Sequence, residues 1–309
     1  MQDCRGGACL RPFLEALPYR ETGRHKACPY NRTRQFLTTH VNQDDVIAAN
    51  IRVHRVEAPH YDALHFEERN FFERRRRMRA LAVVKRELGD RERTFTALDV
   101  GCGTGKMSLL LADNGFDVTS LDLSFDMLSV FKERLGREKL AAKPKLVCAD
   151  LFSFLADCPR RFDLIVFCGT LHHVRDVSEA LRLASSRLCD GGIILITHEP
   201  LKQAIPSKLR FFFHRTLAVL DEALYRLCIR SLPKQAKSID CTTSDFQRQF
   251  GGIDPEDVAS ILRSNGLAII EVQKYCARRF GLSCAIANTL ICSQNTFQVV
   301  ARRPARASD

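Results

Sequence analysis

The stretch from Leu98 to Gly105, LDVGCGTG, constrains the fold of this chain more than any other feature of it. A short predicted strand ends there in a turn with glycines at alternate positions, and a helical pattern follows. Glycine has no Cβ, so it tolerates a positive φ and lets another molecule approach the backbone. A helix that starts near Thr104 presents unpaired N–H groups above the same turn. The sequence therefore predicts a ligand-binding corner between a strand and a helix.

The spacing of the glycines separates the ligand classes that use such a corner. A phosphate-binding Walker loop needs G-x-x-x-x-G-K-[ST], but the positions of its first glycine and final hydroxyl are occupied by Val100 and Met107. A dinucleotide-binding G-x-G-x-x-G motif needs a glycine where this chain has Lys106. The spacing excludes the first class and speaks against the second.

Further strands are predicted after this turn. Asp117–Asp122 and Lys145–Asp150 each end in a carboxylate, and Phe162–Phe167 is a continuous apolar run, typical of a parallel strand buried on both faces. Ile193–Thr197 follows Leu188–Gly192, whose glycines predict a helix end. Each aspartate alone could cap the next helix. Caps have no reason to recur at the carboxyl ends of successive parallel strands, which is where open α/β sheets bind ligands.

In this order the segments resemble the class I S-adenosylmethionine-dependent methyltransferases. The glycine turn matches their motif I, D-x-G-x-G-x-G, with Asp99 inside the strand, and Cys168–Val174 (CGTLHHV) is similar to the "LHH" loop of small-molecule methyltransferases. The resemblance implies an α/β fold, with a Rossmann-like seven-stranded, mostly parallel sheet and helices on both faces. Strands at Leu267–Tyr275 and Thr296–Ala301 would complete it as a hairpin with one antiparallel strand. The implied cofactor is S-adenosyl-L-methionine.

The resemblance also implies the roles of individual residues. Asp122 would hold both ribose hydroxyls, and Asp150 with Leu151 would contact the adenine edge. The implied cofactor residues are Asp99, Gly101, Cys102, Gly103, Gly105, Asp122, Leu123, Met127, Asp150, Leu151, Cys168 and Tyr61.

The loop after the fourth strand borders the transferred methyl group in this family. His172 and His173 lie in it and are the candidate catalytic bases, because imidazole titrates near neutral pH. A loop histidine that is merely bonded to backbone is the competing interpretation. His198 and Glu199, just after the fifth strand, are a second choice.

The same loop argues against several acceptors. It has Cys168-Gly-Thr-Leu where enzymes acting on adenine or glutamine nitrogens have Asn/Asp-Pro-Pro-aromatic, and it lacks the two glutamates of protein arginine methyltransferases. The carboxylate cluster of metal-dependent catechol-type enzymes is not evident. We therefore expect metal-independent transfer to an oxygen, nitrogen or carbon of a small-molecule, lipid or sugar-precursor acceptor. The alternatives are a nucleotide-binding oxidoreductase on the same fold and a non-catalytic, S-adenosylmethionine-binding regulatory subunit.

The pattern along the chain predicts four parts. Residues 1–40 mix Gly, Pro, Cys and Arg without periodicity and are expected to form a loosely ordered tail. Residues 41–92 are expected to form a helical cap, which in this family covers the substrate pocket, and 93–303 the methyltransferase domain. Residues 304–309 form a second tail.

Within the third part, residues 200–250 are expected to form a helical insertion or lid. Apolar residues recur there every three or four positions, which predicts one amphipathic helix packed over the open edge of the sheet; they are Leu209, Phe213, Leu217, Leu220, Leu224 and Leu227. Peripheral membrane contact through residues 205–230, or a pocket wall for a lipid-like acceptor, is the sharper alternative.

The composition of the chain limits the kinds of partner and compartment that we expect. The chain carries a net charge of +11, but the densest basic run, Arg74–Arg77, lies beside Glu73 in a helical pattern, where the charges can pair. The sequence therefore does not favour a nucleic-acid partner. It has no apolar stretch approaching the roughly 20 residues that cross a bilayer, and no signal-peptide core in its first residues. The 13 cysteines are odd in number and include no C-x-x-C pair. We expect a protein of the reducing cytoplasm.

Overall fold

The computed structural model describes residues 41–90, 92–202, 207–237 and 240–305. The predicted tails at 1–40 and from residue 306 lie outside the described residues. The strands are β1 Thr96–Val100, β2 Asp117–Asp122, β3 Lys145–Cys148, β4 Phe162–Cys168, β5 Leu188–Pro200, β6 Ala268–Tyr275 and β7 Thr296–Arg302. The helices are α1 Gln43–Glu57, α2 Tyr61–Leu64, α3 Phe71–Leu88, α4 Lys106–Asp113, α5 Phe125–Arg137, α6 Leu151–Asp157, α7 Val177–Ser186, α8 Lys208–Cys228, α9 Lys234–Lys237, α10 Pro255–Ser264 and α11 Gly281–Thr289.

The strands form one seven-stranded sheet in the order β3-β2-β1-β4-β5-β7-β6. Strands β1 to β5 pair in parallel, and β7 runs antiparallel to both β5 and β6. This is the predicted fold class, including the single antiparallel strand of the C-terminal hairpin.

Helices cover both faces of the sheet because the central strands are apolar on both faces. Along β4, Ile165 and Phe167 join the core under α7 and α10, while Leu164 and Val166 join the core under α3 and α4. Successive side chains of a strand point to opposite faces. An uninterrupted apolar run can therefore fill two cores at once.

Two local predictions were wrong. Leu188–Gly192 is not a helix end, because α7 stops at Ser186 and these residues already belong to β5. A Cβ on Gly192 would lie 2.8 Å from the carbonyl oxygen of Cys189, so this glycine serves close backbone packing. Strand β3 ends at Cys148, two residues before the predicted end at Asp150.

The predicted amphipathic helix exists as α8, but its apolar stripe does not pack against the sheet. Five of the six apolar residues that defined it are exposed, and only Leu217 is half-buried. The residues of α8 that are buried are His214 and Asp221. The inner face of this helix is therefore polar. No helix in the described part of the chain is long and apolar enough to cross a membrane.

Candidate active site

A cavity of about 240 Å³ lies at the carboxyl ends of β1, β2 and β4. The glycine turn, the loops after β2 and β4, and α1 form its walls. The residues predicted for the site line this cavity, apart from Gly105 and the second-choice Glu199; those that line it are Tyr61, Asp99, Gly101, Cys102, Gly103, Asp122, Leu123, Met127, Asp150, Leu151, Cys168, His172, His173 and the second-choice His198.

The glycines of the turn have different functions. Gly101, at φ 69°, has no room for a side chain, since a Cβ would lie 2.5 Å from Cγ2 of Thr170. Gly103, at φ 53°, is open, because a Cβ there would find only the methyl group of Met127, at 3.4 Å. Only Gly103 thus leaves free space beside its Cα on the cavity side of the turn.

Gly105 lies outside the cavity and serves packing. It precedes α4 in the left-handed region at φ 86°, and a Cβ there would lie 2.1 Å from the ring of Phe131. That ring is fully buried in the small core between α4 and α5. The third glycine lets the start of one helix lie against the next.

Two buried aspartates lie beside the turn. Asp122 accepts the N–H groups of Gly103 at 2.7 Å and Ser124 at 2.8 Å, and burial raises its pKa. Asp99 accepts the Ser108 hydroxyl at 2.6 Å, while its other oxygen, Oδ1, has no hydrogen-bond partner among the described residues. Burial raises the pKa of Asp99 to about 7. Oδ1 of Asp99 is therefore a hydrogen-bond acceptor beside the cavity that no described residue uses.

Asp150 has the capping role that the sequence allowed, while its contact with the adenine edge stays a prediction. It caps α6 by accepting the N–H of Ser153 at 2.9 Å, and it also lines the cavity.

Glu199 orients the loop that carries the histidines. It is fully buried, and its carboxylate accepts the backbone N–H groups of Thr170 at 2.7 Å, Leu171 at 2.8 Å and His172 at 3.1 Å. It also lies 2.9 Å from Nδ1 of His172. Burial raises the pKa of Glu199, whereas the three backbone N–H groups favour its ionised form. An ionised Glu199 only accepts, so this contact places the proton on Nδ1 and leaves the lone pair on Nε2. In that tautomer Nε2 is the atom of His172 that can take up a proton.

His173 is held by a different set of contacts. Its Nδ1 lies 3.0 Å from the carbonyl oxygen of Ser244 and 3.4 Å from a carboxylate oxygen of Asp245. Its ring lies against that of His172, with centroids 4.1 Å apart, and 5.4 Å from the ring of His54. The bond to the Ser244 carbonyl matches the competing interpretation of a loop histidine bonded to backbone.

Asp62 ties the cap to the glycine turn. It accepts the Thr104 hydroxyl at 3.2 Å, lies 3.1 Å from Nζ of Lys106 and pairs with Arg134. Burial opposes its ionisation, yet the neighbouring lysine and arginine lower the pKa of Asp62 below its usual range. Next to it, Tyr61 stacks on His65 with centroids 4.1 Å apart.

Comparison with known proteins assigns the central part of this site to a protein family. Residues 98–196 match the pattern described as "Methyltransferase domain". Residues 98–196 belong to that family. This segment contains the glycine turn, Asp122 at the end of β2, Asp150 after β3, and the two histidines.

Individual relatives agree with this assignment. The glycine N-methyltransferase of Rattus norvegicus is 38% identical over 114 residues, which are 33% of this chain and 39% of the relative. The ubiquinone biosynthesis O-methyltransferase of Stutzerimonas stutzeri (strain A1501) is 28% identical over 100 residues, which are 32% of this chain and 42% of the relative. The chain therefore spans about two fifths of the length of these relatives.

A solved structure agrees in fold. N-methyltransferase NodS from Bradyrhizobium japonicum WM9, crystallised with S-adenosyl-L-homocysteine, superposes with a TM-score of 0.51 at 16% identity. The match covers 84% of this chain and 98% of that one. At this identity the likeness concerns the fold alone.

Several residues of the cavity lie outside residues 98–196 and were not predicted. Asn50 and His54 come from α1, and Asp245 and Arg248 from the segment after α9. Asn50 donates to the carbonyl oxygen of His173 at 3.3 Å. No local pattern marks these residues, because each reaches the cavity only through long-range packing. Glu199, a second choice from the sequence, proves to be the hydrogen-bonding centre of the histidine loop.

Acid should destabilise the fold through the two loop histidines. Burial lowers the pKa of His172 and of His173 to about 3, whereas an unfolded imidazole titrates near pH 6.5, roughly. Between these values the unfolded chain binds protons that the folded chain does not, so the free energy of unfolding decreases as the pH falls. Each histidine contributes a slope approaching about 1.4 kcal/mol per pH unit.

Urea denaturation between pH 7 and pH 5 measures this slope, and His173→Gln should make it shallower. An unchanged slope in that variant would show that His173 does not remain neutral in the folded protein.

Proposed function

We propose that this chain is a class I S-adenosylmethionine-dependent methyltransferase. The acceptor is an oxygen, nitrogen or carbon of a small-molecule, lipid or sugar-precursor substrate, and no metal takes part. The observation that carries the proposal is that one cavity joins the open turn at Gly103 and the carboxylate of Asp122 to a histidine whose tautomer is fixed by Glu199. The relatives support methyl transfer but differ in their acceptor atom, one being an N- and the other an O-methyltransferase.

The residues of the cavity fit the cofactor. Gly103 leaves room where a side chain would stand, Asp122 offers a buried carboxylate, and Oδ1 of Asp99 is an acceptor without a partner among the described residues. A buried acceptor of this kind suits a donor group of a ligand, because a buried polar atom left unpaired costs about 1–3 kcal/mol.

The cavity offers two ends for two substrates. Asp122 is the last residue of β2, whereas the two histidines follow β4, and these strands are two spacings apart in the sheet, or about 10 Å. We assign the adenosine half to Asp122, Leu123, Met127, Asp150 and Leu151, and the methionine half to the neighbourhood of Asp99, Gly101, Cys102, Cys168 and Tyr61. The acceptor then lies at the histidine end. When bound, S-adenosylmethionine supplies the methyl group as a reactive sulfonium.

The chain contributes positioning and a proton acceptor. The α1 wall, with Asn50 and His54, lines the histidine end. Nε2 of His172 takes the acceptor's proton, and the carboxylate of Glu199 stabilises the resulting imidazolium through Nδ1–H. His173, bonded to the Ser244 carbonyl, supports this ring rather than acting as the base.

Methyl transfer should not need a metal. His172, His173 and Asp245 offer ligand atoms within 4.8 Å of one another, but His172 is bonded to Glu199 and His173 to Ser244 and Asp245. We expect dialysis against EDTA to leave the rate of S-adenosylhomocysteine formation within about twofold, a change of only about 0.4 kcal/mol in the barrier. A loss that Zn²⁺ or Mg²⁺ restores would refute metal independence.

Binding of S-adenosylhomocysteine tests the cofactor assignment. We expect the wild-type protein to bind it and Asp122→Asn to bind it about 10–100-fold more weakly, because a charge-assisted hydrogen bond contributes about 1.5–3 kcal/mol. Isothermal titration calorimetry measures both affinities. The matched control is Asp117→Asn, at the opposite end of the same strand and outside the cavity.

The same titrations separate the alternatives. Binding of NAD in place of S-adenosylhomocysteine would identify an oxidoreductase. Cofactor binding without turnover on any acceptor would identify a regulatory subunit. Equal losses in the two aspartate variants would contradict the role given to Asp122.

A further inference from the structure

Helix α8 turns its apolar face to the outside and its polar face to the protein, the reverse of an ordinary surface helix. Intervals of three, four and seven residues return to the same face of a helix. At these intervals Leu209, Phe213, Leu220, Leu224 and Leu227 follow one another, and all of them are about half or more exposed. Phe212 and Val219, both 62% exposed, widen this apolar stripe. Soluble monomers rarely expose a continuous apolar surface of this kind without using it.

The opposite face of α8 holds the helix to the protein through polar contacts. His214 and Asp221, seven residues apart, are both buried, and Arg278 lies 3.1 Å from Nδ1 of His214 and 3.3 Å from Asp221. Arg279 pairs with Glu222 at 2.7 Å and lies 3.8 Å above the ring of Tyr225. These contacts fix which side of α8 faces outward. The apolar stripe is therefore displayed by the fold itself.

Basic side chains border the stripe. One flank of the stripe carries Lys208, Arg215 and Arg226, which follow one another at intervals of seven and eleven residues. This flank is the one next to Phe212 and Val219. The helix contains four Lys or Arg residues and two Asp or Glu residues; Asp221 pairs with Arg278, and Glu222 pairs with Arg279 and, at 2.9 Å, with Arg226 of the helix itself. An outward apolar stripe flanked by cations is the arrangement of a helix that lies in a membrane interface.

We propose that α8 docks this protein on an anionic lipid surface, with the helix parallel to the membrane and its apolar stripe inserted among the acyl chains. The helix is 21 residues long, or about 30 Å, which gives an extended footprint. A second copy of the chain fits the same face less well. A symmetric dimer would place the same basic flanks near each other, whereas anionic headgroups neutralise them. This inference does not depend on the proposed methyl transfer.

Vesicle co-sedimentation tests the proposal with the full chain. We expect binding to vesicles of phosphatidylcholine with about 30% phosphatidylglycerol, and at least tenfold weaker binding to pure phosphatidylcholine, because basic residues are attracted to an anionic surface. Phe212→Ser should weaken binding to the anionic vesicles about tenfold or more, since a buried phenylalanine side chain accounts for at least that factor.

The matched control is Phe125→Ser, at the start of α5, where the ring is 71% exposed and outside the stripe. It should bind like the wild type. Both variants should keep the wild-type melting temperature, because both rings are exposed in the folded protein.

Three results would overturn the proposal. The first is no binding of the wild type to anionic vesicles, and the second is an equal loss in both phenylalanine variants. The third is a wild-type dimer, seen by analytical ultracentrifugation, that Phe212→Ser dissociates while vesicles remain unbound, which would assign the stripe to a second copy of the chain.

Discussion

Replacing His172 with alanine is expected to lower the rate of methyl transfer about 10²–10⁴-fold, the range that a positioned general base contributes. The ring is buried, its Nδ1 is committed to Glu199 at 2.9 Å, and only Nε2 remains to accept a proton. The affinity for S-adenosylhomocysteine should stay within about twofold, since the adenosine half is assigned to the distant end of the cavity and twofold is about 0.4 kcal/mol. Release of S-adenosylhomocysteine, measured with the acceptor that the wild type methylates, gives the rate.

Two companion variants sharpen this prediction. Glu199→Gln keeps the size of the side chain but brings an amide N–H₂ group toward the three backbone N–H groups that Glu199 accepts. We expect it to lower the rate about 10-fold or more, because one buried donor is then left unpaired. His60→Ala, the same histidine removal outside the cavity, should leave the rate unchanged. A His172→Ala enzyme with the wild-type rate would show that the acceptor needs no base.

The second large effect concerns stability. Gly105→Ala is expected to reduce the free energy of unfolding by about 2–5 kcal/mol, from backbone strain of about 1–2 kcal/mol at positive φ and overpacking of about 1–3 kcal/mol. The added Cβ would lie 2.1 Å from the Phe131 ring, which is fully buried and cannot turn away into solvent. Chemical denaturation at pH 7 measures the loss.

Gly115→Ala is a control with the same backbone angle. Gly115 also has φ 86°, but a Cβ there meets nothing within 4 Å, so only the strain of about 1–2 kcal/mol is expected. Phe131→Leu should partly rescue Gly105→Ala, because the smaller side chain vacates the contested space. Equal losses at the two glycines, or no rescue, would mean that the ring of Phe131 does not oppose a side chain at position 105.

Most of the fold could be predicted from local patterns in the sequence. The strand end at Asp122 and the apolar run that forms β4 follow from residues that are neighbours in sequence. The motif could not tell which glycine faces a ligand, because that depends on Thr170 and Phe131, which pack against the turn from later elements.

The missed parts depend on long-range contacts. Glu199 reaches its loop across 27 to 29 residues, and Asn50 reaches His173 across 123. The periodicity of α8 gave the helix but not its orientation, since Arg278, which pairs with its inner face, lies 57 residues beyond Asp221. Periodicity identifies an apolar face and does not say whether protein covers it.

The walls of the cavity come from two different parts of the chain. The end around Asp122 lies within residues 98–196, the part shared with relatives, whereas Asn50, His54, Asp245 and Arg248 at the histidine end lie outside it. Under the proposed function, substitutions in these outer segments change which acceptor is bound without altering residues 98–196. A chain of this kind can acquire a new acceptor through changes in α1 and in the segment after α9, while residues 98–196 stay the same.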